Sequence, residues 1–328
     1  MNYRTLGKSN FQISELSLGT WQVGGKWGSG FDDALADRIL QEAADQGINF
    51  IDTADVYEDG QSERAVGRLV RSRSERIYVA TKCGRKINPH RSEGYSPEVL
   101  QQFVEDSLRR MQLESLDLIQ LHCPPTAVYY RPEIFELFDR LREAGKIRHL
   151  GVSVEKVEEG LKALEYPNVT SIQIIYNVFR QRPQELLFRE AQRRGVGIIV
   201  RVPLASGLLT GLYRADTHFA PTDHRHFNRE GEAFDRGETF AGIDYELGLR
   251  AVEALRREFP RVENLAPVAI QWVLRHPAVT TVIPGASKVA HLHSNLSYQQ
   301  LPAPTEAQLQ AIDEIYQQYI QPSVHQLW

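Results

Sequence analysis

The chain has 328 residues, 42% of them hydrophobic, and a net charge of −4. That balance is ordinary for a globular protein and shows no basic excess pointing to nucleic acid or an anionic membrane. Two cysteines, Cys83 and Cys123, are too few for a disulfide framework; the first residues lack the apolar stretch of a signal peptide, and no apolar run approaches membrane-spanning length, so a reduced, cytoplasmic setting is expected.

Met1–Ile13 reads as a hairpin (YRTLG, then FQIS) that closes one end of the fold. Short apolar runs follow at Leu16–Thr20, Asn49–Ala54, Ile77–Lys82, Leu116–His122, Arg148–Ser153, Ser171–Tyr176, Gly197–Pro203 and Thr280–Pro284. Rich in Ile, Val and Leu, they read as strands buried on both faces. Helical periodicity lies between them, at Asp33–Gln46, Ser62–Arg71, Ser96–Met111, Pro132–Ala144, Glu155–Leu164, Pro183–Arg194, Ala266–His276 and Val289–Leu296. Ser96 followed by Pro97 is a helix start, an N-cap and then a first-turn proline.

Strands that alternate with helices pair in parallel through right-handed crossovers. The series predicts a single (β/α)8 TIM barrel over residues 1–328. The rival, a doubly wound open sheet, lacks its GxGxxG turn after every early strand. Three pieces are extra: the hairpin, a long loop over Ala205–Asp244 after the seventh barrel strand, and a C-terminal helix at Glu306–Ile320. Another helix, Tyr245–Phe259, precedes Ala266–His276. Long loops in compact domains are usually functional covers or disordered.

In such a barrel the C-terminal strand ends carry the chemistry. Asp52, Lys82 and His122 end the second, third and fourth barrel strands, and Tyr57 follows the second. An ammonium beside a phenol lowers its pKa from about 10 and makes it a better acid. Asp52 is the partner a buried Lys82 needs. His122 can orient a substrate oxygen or help relay its proton. None of the four donates a hydride, so a cofactor must.

Each residue has a plainer reading alone: a capping Asp, a rim Tyr, a structural Lys, a hydrogen-bonded His. Together at one edge they favour catalysis. His218, His224 and His226 in the long loop read as a solvated or substrate-covering segment, and no metal is expected. Cys83 and Cys123 are not expected to be nucleophiles, since that would leave Tyr57 and Lys82 without a purpose. Trp21, Trp27, Tyr129 and Tyr130 are pocket or rim aromatics. Trp328 reads as either disordered or in contact with substrate.

Across nearly its whole length the chain resembles the aldo-keto reductase family. The motifs are LGTW (Leu18–Trp21), NFIDTADVYEDGQSE (Asn49–Glu63), VATKCG (Val79–Gly84), LDLIQLHCP (Leu116–Pro124), GKIRHLGVSV (Gly145–Val154), QIIYNVF (Gln173–Phe179), PLASGLLTG (Pro203–Gly211) and VIPGASK (Val282–Lys288). The likeness is strongest to bacterial members related to potassium-channel β subunits and to sugar or inositol dehydrogenases.

The resemblance implies nicotinamide-dependent interconversion of carbonyl compounds and alcohols. It implies Tyr57 as general acid/base, Lys82 and Asp52 as its tuning partners, and His122 as substrate orienter. Ser153 and Gln173 match positions that hold the nicotinamide carboxamide. Gly19, Thr20, Trp21 and Gly24 match the loop beside cofactor and substrate, with Trp27 a further substrate contact. Pro203, Leu204, Ser206, Gly207, Leu209 and Gly211 match the segment over the pyrophosphate. Gly285, Ser287, Lys288, His291 and Asn295 match the adenosine end. Three positions depart from the family pattern. Val154 replaces a common Asn, Arg201 stands where an aromatic often stacks on nicotinamide, and His291 replaces Arg or Gln. Lys288 favours NADP(H), with NAD(H) as the alternative. The expected partner is a small carbonyl or polyol substrate, with no nucleic acid and no membrane. The alternative function is a cofactor-binding regulatory or sensor subunit resembling channel β subunits.

Overall fold

The computed structural model describes residues 1–25 and 30–328, so Trp27 lies outside the described residues. The expected hairpin is present and runs slightly further: β1 (Tyr3–Thr5) pairs antiparallel with β2 (Gln12–Ser14). Leu6, Phe11 and Ile13 from it bury against Phe50, Ala80, Leu118, Ile199 and Ile283 inside the barrel. Gly7 has a φ of +48°, and a Cβ there would lie 2.4 Å from the amide nitrogen of Gly197. Only glycine lets the hairpin press this closely on the chain entering the seventh barrel strand. The hairpin therefore plugs the N-terminal end and leaves the opposite end for chemistry.

The apolar runs form an eight-stranded parallel sheet in chain order. These strands are β3 (Leu18–Gly19), β4 (Phe50–Asp52), β5 (Tyr78–Cys83) and β6 (Leu116–His122), then β7 (Ile147–Ser153), β8 (Val169–Ile175), β9 (Gly197–Arg201) and β10 (Val279–Val282). Bridges from Leu16 to Val282 and from Gly19 to Gly285 join first to last and close the barrel. Every residue of β8 and β9 is buried, which is why neither strand alternates apolar with exposed polar residues; the polar Thr170, Ser171 and Gln173 of β8 are buried as well.

The register sets the site. Gly19 pairs with Asp52, Lys82 with Gln120, His122 with Ser153, and Ser153 with Gln173. Polar residues distant in sequence thus share the C-terminal rim of neighbouring strands.

The first six helices cover the outside: α1 (Asp33–Asp45), α2 (Gln61–Ser72), α3 (Pro97–Met111), α4 (Pro132–Glu143), α5 (Val157–Ala163) and α6 (Leu187–Arg193). The Asp32 and Ser96 side chains accept from the amides of Leu35 and Val99, satisfying donors that a helix start leaves open. On α4 the buried stripe is Ile134, Phe135, Leu137, Phe138 and Leu141, each worth roughly 1.5–3 kcal/mol of burial.

The long loop is a chain of short turns with one brief helix, α7 (His224–Phe227). After it come α8 (Tyr245–Glu258), α9 (Ala266–Leu274), α10 (Val289–Leu296) and α11 (Glu306–Ile315). The C-terminal helix continues past α11 through a π-helical turn, Tyr316–Ile320, into α12 (Gln321–Val324). Among the described residues no helix is long and apolar enough to cross a membrane. Cys83 and Cys123 are buried free thiols.

Candidate active site

Lys82 is the hub of the strand-end cluster. Its ammonium donates to Asp52 Oδ1 at 2.5 Å, to the Thr53 carbonyl at 2.8 Å and to the Tyr57 hydroxyl at 3.1 Å. Asp52 and Lys82 are only 2% and 1% exposed, so neither charge would be tolerable without the other. Tyr57 reaches them because the chain turns straight after β4: its amide bonds the Ala54 carbonyl, and Glu58, Asp59 and Gly60 follow with positive φ. His122 stands beside it, ring centroids 6.0 Å apart and nearly perpendicular.

The electrostatics correct one expectation. The Tyr57 phenol lies above, not below, its ordinary value: burial raises it, the Lys82 ammonium opposes that, and the Asp52 carboxylate adds to it. Burial pulls Lys82 down, but Asp52 and Tyr57 more than offset this and hold it charged. His122 is pushed well below its usual value by burial and by the charges of Lys82, Arg85 and Arg201, so it is neutral near pH 7. Its Nδ1 is buried with no hydrogen-bond partner among the described residues.

A cavity of about 630 Å³ opens on this cluster, within the range of small-molecule and cofactor sites. Asp52, Tyr57 and His122 line it, while Lys82 stands behind them. The predicted cofactor residues Gly19, Thr20, Trp21, Ser153, Gln173, Arg201, Pro203, Leu204, Ser206, Gly207, Gly285, Ser287, His291 and Asn295 line it as well. Three of the expected residues further along the chain do not, and neither does Gly24 of the first loop. Leu209 is 1% exposed, in the core, because the 205–210 turn rolls its side chain inward. Gly211 caps that turn in a left-handed conformation, and its carbonyl accepts from Arg256. Lys288 is the exposed residue that begins α10, with its side chain outside the cavity wall.

Gln120, missed in the sequence, completes the setting of Asp52. Its Nε2 donates to Asp52 Oδ2 at 3.1 Å, and Gln173 Nε2 donates to the same oxygen at 2.8 Å. Gln173 therefore holds the buried carboxylate with its amide nitrogen and keeps its carbonyl for the cavity. Gln120 was legible only as the strand residue in register with Lys82.

Arg201 does not sit as a free stacking plane. One guanidinium nitrogen pairs with Glu238; the other donates to Glu155 at 3.1 Å and to the Val154 carbonyl at 3.0 Å. Two of the three departures from the family pattern, Val154 and Arg201, are thus in contact. Burial and the neighbouring Glu238 raise Glu155 to about 7. Cys123, Glu155 and Glu238 bring possible ligand atoms together, yet Arg201 already holds both carboxylates, and burial pushes the thiol up. Among the described residues His218, His224 and His226 do not converge as a ligand set.

The long loop supplies the roof. His224 packs on Trp21 at 4.9 Å between ring centroids, and Phe234 on Trp21 at 6.1 Å. Burial lowers His224 to about 4, so it serves as an aromatic wall. Arg225, next to it, lines the cavity near His291 and is clamped by Asp223. The Ser206 hydroxyl ties the roof down, donating to the Glu238 carbonyl at 2.9 Å and accepting from the Phe240 amide at 3.1 Å. Trp328, expected to be disordered or near substrate, is neither. It is 6% exposed, under the Arg180 guanidinium at 3.8 Å, and its ring N–H bonds Asp235 at 2.8 Å. Of the predicted rim aromatics, Tyr129 is buried in the core and Tyr130 is exposed.

Comparison with known proteins shows the family and the fold. The model of the Aldo/keto reductase family matches residues 15–317. The aldo-keto reductase AKR11C1 from Bacillus halodurans, solved in a holo form, is 31% identical with a TM-score of 0.76, over 96% of both chains. The glycerol dehydrogenase AKR11B4 from Gluconobacter oxydans is 29% identical with a TM-score of 0.78, over 97% of this chain and 95% of that one. The uncharacterized oxidoreductase YqkF of Bacillus subtilis (strain 168) is 29% identical over 316 residues, 95% of each chain.

Proposed function

The chain belongs to the aldo/keto reductase family, and from that premise we propose that it interconverts carbonyl compounds and alcohols with a nicotinamide dinucleotide as redox partner. The observation that carries the reading is the Lys82 ammonium bonded to both Asp52 and Tyr57, behind the wall of a cavity whose volume is in the range of small-molecule and cofactor sites.

The residues fit such a cofactor. The open carbonyl of Gln173 and the hydroxyl of Ser153 suit a carboxamide at the inner end. The backbone turn at Ser206 and Gly207, both with positive φ, suits a pyrophosphate. A Cβ on Gly285 would meet nothing nearer than 3.7 Å, so the groove is open beside it. When bound, the dinucleotide supplies or accepts the hydride. Arg225 in the cavity wall, and Lys288 outside it but near His291, bring cations to the outer end, which supports NADP(H) over NAD(H).

In the reducing direction the Tyr57 hydroxyl donates its proton to the carbonyl oxygen. Lys82 stays charged and stabilises the phenolate left behind. Neutral His122 contributes an N–H that donates to the same oxygen and orients it. The roof of Trp21, His224 and Phe234 excludes water, which strengthens each of these interactions.

Mixing the protein with NADPH and with NADH, followed by fluorescence, and then assaying a panel of aldehydes, ketones and polyols, tests the reading. Binding of a dinucleotide with turnover of at least one carbonyl–alcohol pair is expected. Absence of any dinucleotide binding contradicts it.

A further inference from the structure

Arg85 occupies the wall of the same cavity as Tyr57 and His122, on the loop that leaves β5. The turn that puts it there depends on Gly84, whose φ is +102° and where a Cβ would lie 2.8 Å from the Tyr95 ring. Its side chain is a quarter exposed, and its guanidinium meets Glu155 Oε1 only at 3.6 Å. Among the described residues it donates no hydrogen bond. It is close enough to His122 to help keep that ring neutral.

Its neighbours explain why its donors are left over. Arg201 takes both nearby carboxylates, Glu238 and Glu155, at hydrogen-bonding distance. Burial and the Glu238 carboxylate push Glu155 up to about 7. Lys82 is already committed to Asp52. Arg85 therefore presents a guanidinium fork that donates no hydrogen bond among the described residues, its ion pair with Glu155 reaching only 3.6 Å, beside the reacting centre and in a pocket that Trp21, Phe234 and His224 also line. Leaving such a fork without an acceptor under an aromatic roof is costly, unless the ligand brings the acceptor.

Resting on the oxidoreductase reading above, we propose that Arg85 receives an oxyanion carried by the substrate, so that the enzyme prefers carbonyl compounds bearing a carboxylate or a phosphate over neutral ones of the same length. Arg85 is then a specificity-determining residue for the substrate's far end, while Tyr57 and His122 hold the carbonyl. A guanidinium fork matches either oxyanion through two parallel hydrogen bonds.

Matched pairs test this: 4-oxobutanoate against butanal for a carboxylate, and glyceraldehyde 3-phosphate against glyceraldehyde for a phosphate. The readout is the ratio of kcat/KM within each pair. The wild-type ratio should favour the anionic member of at least one pair by about 10- to 100-fold, the worth of a charged hydrogen bond. Which pair shows it distinguishes carboxylate from phosphate. Arg85→Met should bring the ratio near one, and Arg85→Lys should restore part of it, since lysine keeps the charge but not the fork. A wild-type ratio near one in both pairs, or a ratio that survives in R85M, overturns the proposal. Calorimetric binding of 4-hydroxybutanoate and of inorganic phosphate to wild type and R85M needs no turnover. Tighter binding of either to the wild type supports the proposal, and equal binding of both overturns it. Failure of every aldehyde to react counts against the oxidoreductase reading, whereas the binding comparison still decides the role of Arg85.

Discussion

Lys82 and Tyr57 meet at 3.1 Å, ammonium to hydroxyl, with the same nitrogen 2.5 Å from Asp52. The contact ties a phenol on a turn to a cation on the neighbouring strand. It works against a burial that otherwise holds the phenol's pKa up. Tyr57 thus keeps its proton in neutral solution and has a charge beside it to receive the phenolate.

The buried pair should show strong coupling. Lys82→Met leaves Asp52 buried without its ion partner and should cost about 3–5 kcal/mol of stability. The double variant Lys82→Met/Asp52→Asn should regain much of that loss, since it removes the orphaned charge and leaves an amide oxygen that Gln120 and Gln173 can still bond. It should stay inactive, because the ammonium beside Tyr57 is gone. Urea unfolding of the single and double variants measures the coupling. Strict additivity would show that the pair is not a unit.

Asp55 should make the protein less stable as pH rises. It is fully buried, both its oxygens lack hydrogen-bond partners among the described residues, and burial with the nearby Glu63 carboxylate raises it to about 7. A raised carboxyl pKa means that the folded state holds the proton more tightly than the unfolded chain. Its contribution is therefore fully favourable below the unfolded value of about 4 and is lost as pH climbs towards 7. Asp55→Asn should gain on the wild type between pH 4 and 8, by up to about 4 kcal/mol. Thermal unfolding across that range checks it; a gap that does not change with pH would contradict the assignment.

Trp328 should control the roof. Its ring fills the space over Gly242, where a Cβ would lie 2.4 Å away, and its N–H holds Asp235. Trp328→Ala should cost about 3 kcal/mol or more. It should speed proteolysis within residues 205–244 and weaken dinucleotide binding. Unchanged cleavage there would mean that the roof holds itself.

Cofactor preference should rest on the cations at the outer end. Arg225→Ala and Lys288→Ala should each weaken NADPH more than NADH, by roughly tenfold for a lost charged contact. Fluorescence titration with both dinucleotides measures it. Equal weakening of the two would remove the phosphate role.

The barrel was legible because strands buried on both faces have to be apolar, and runs such as IYVATKC and LDLIQLHC leave no helical period. The tetrad was legible because Asp52, Lys82 and His122 break those runs at one end. What the phenol's environment does to its proton was not, since the balance of burial against Lys82 depends on packing. The long loop carries no periodicity, so nothing in its sequence points His224, Arg225, Phe234 or Glu238 at the cavity. Their placement is fixed by distant partners: Trp21, Ser206, Arg201 and Trp328. Arg85 was hidden for a related reason, as the glycine turn before it acts through Tyr95.

The central claim is that Tyr57 moves the proton while other residues hold the dinucleotide. Tyr57→Phe, compared with wild type by turnover and by NADPH fluorescence titration, tests it most directly. Turnover should fall about 100- to 10,000-fold with dinucleotide affinity nearly intact. Turnover that survives the change, or affinity that falls as far as turnover, would contradict it.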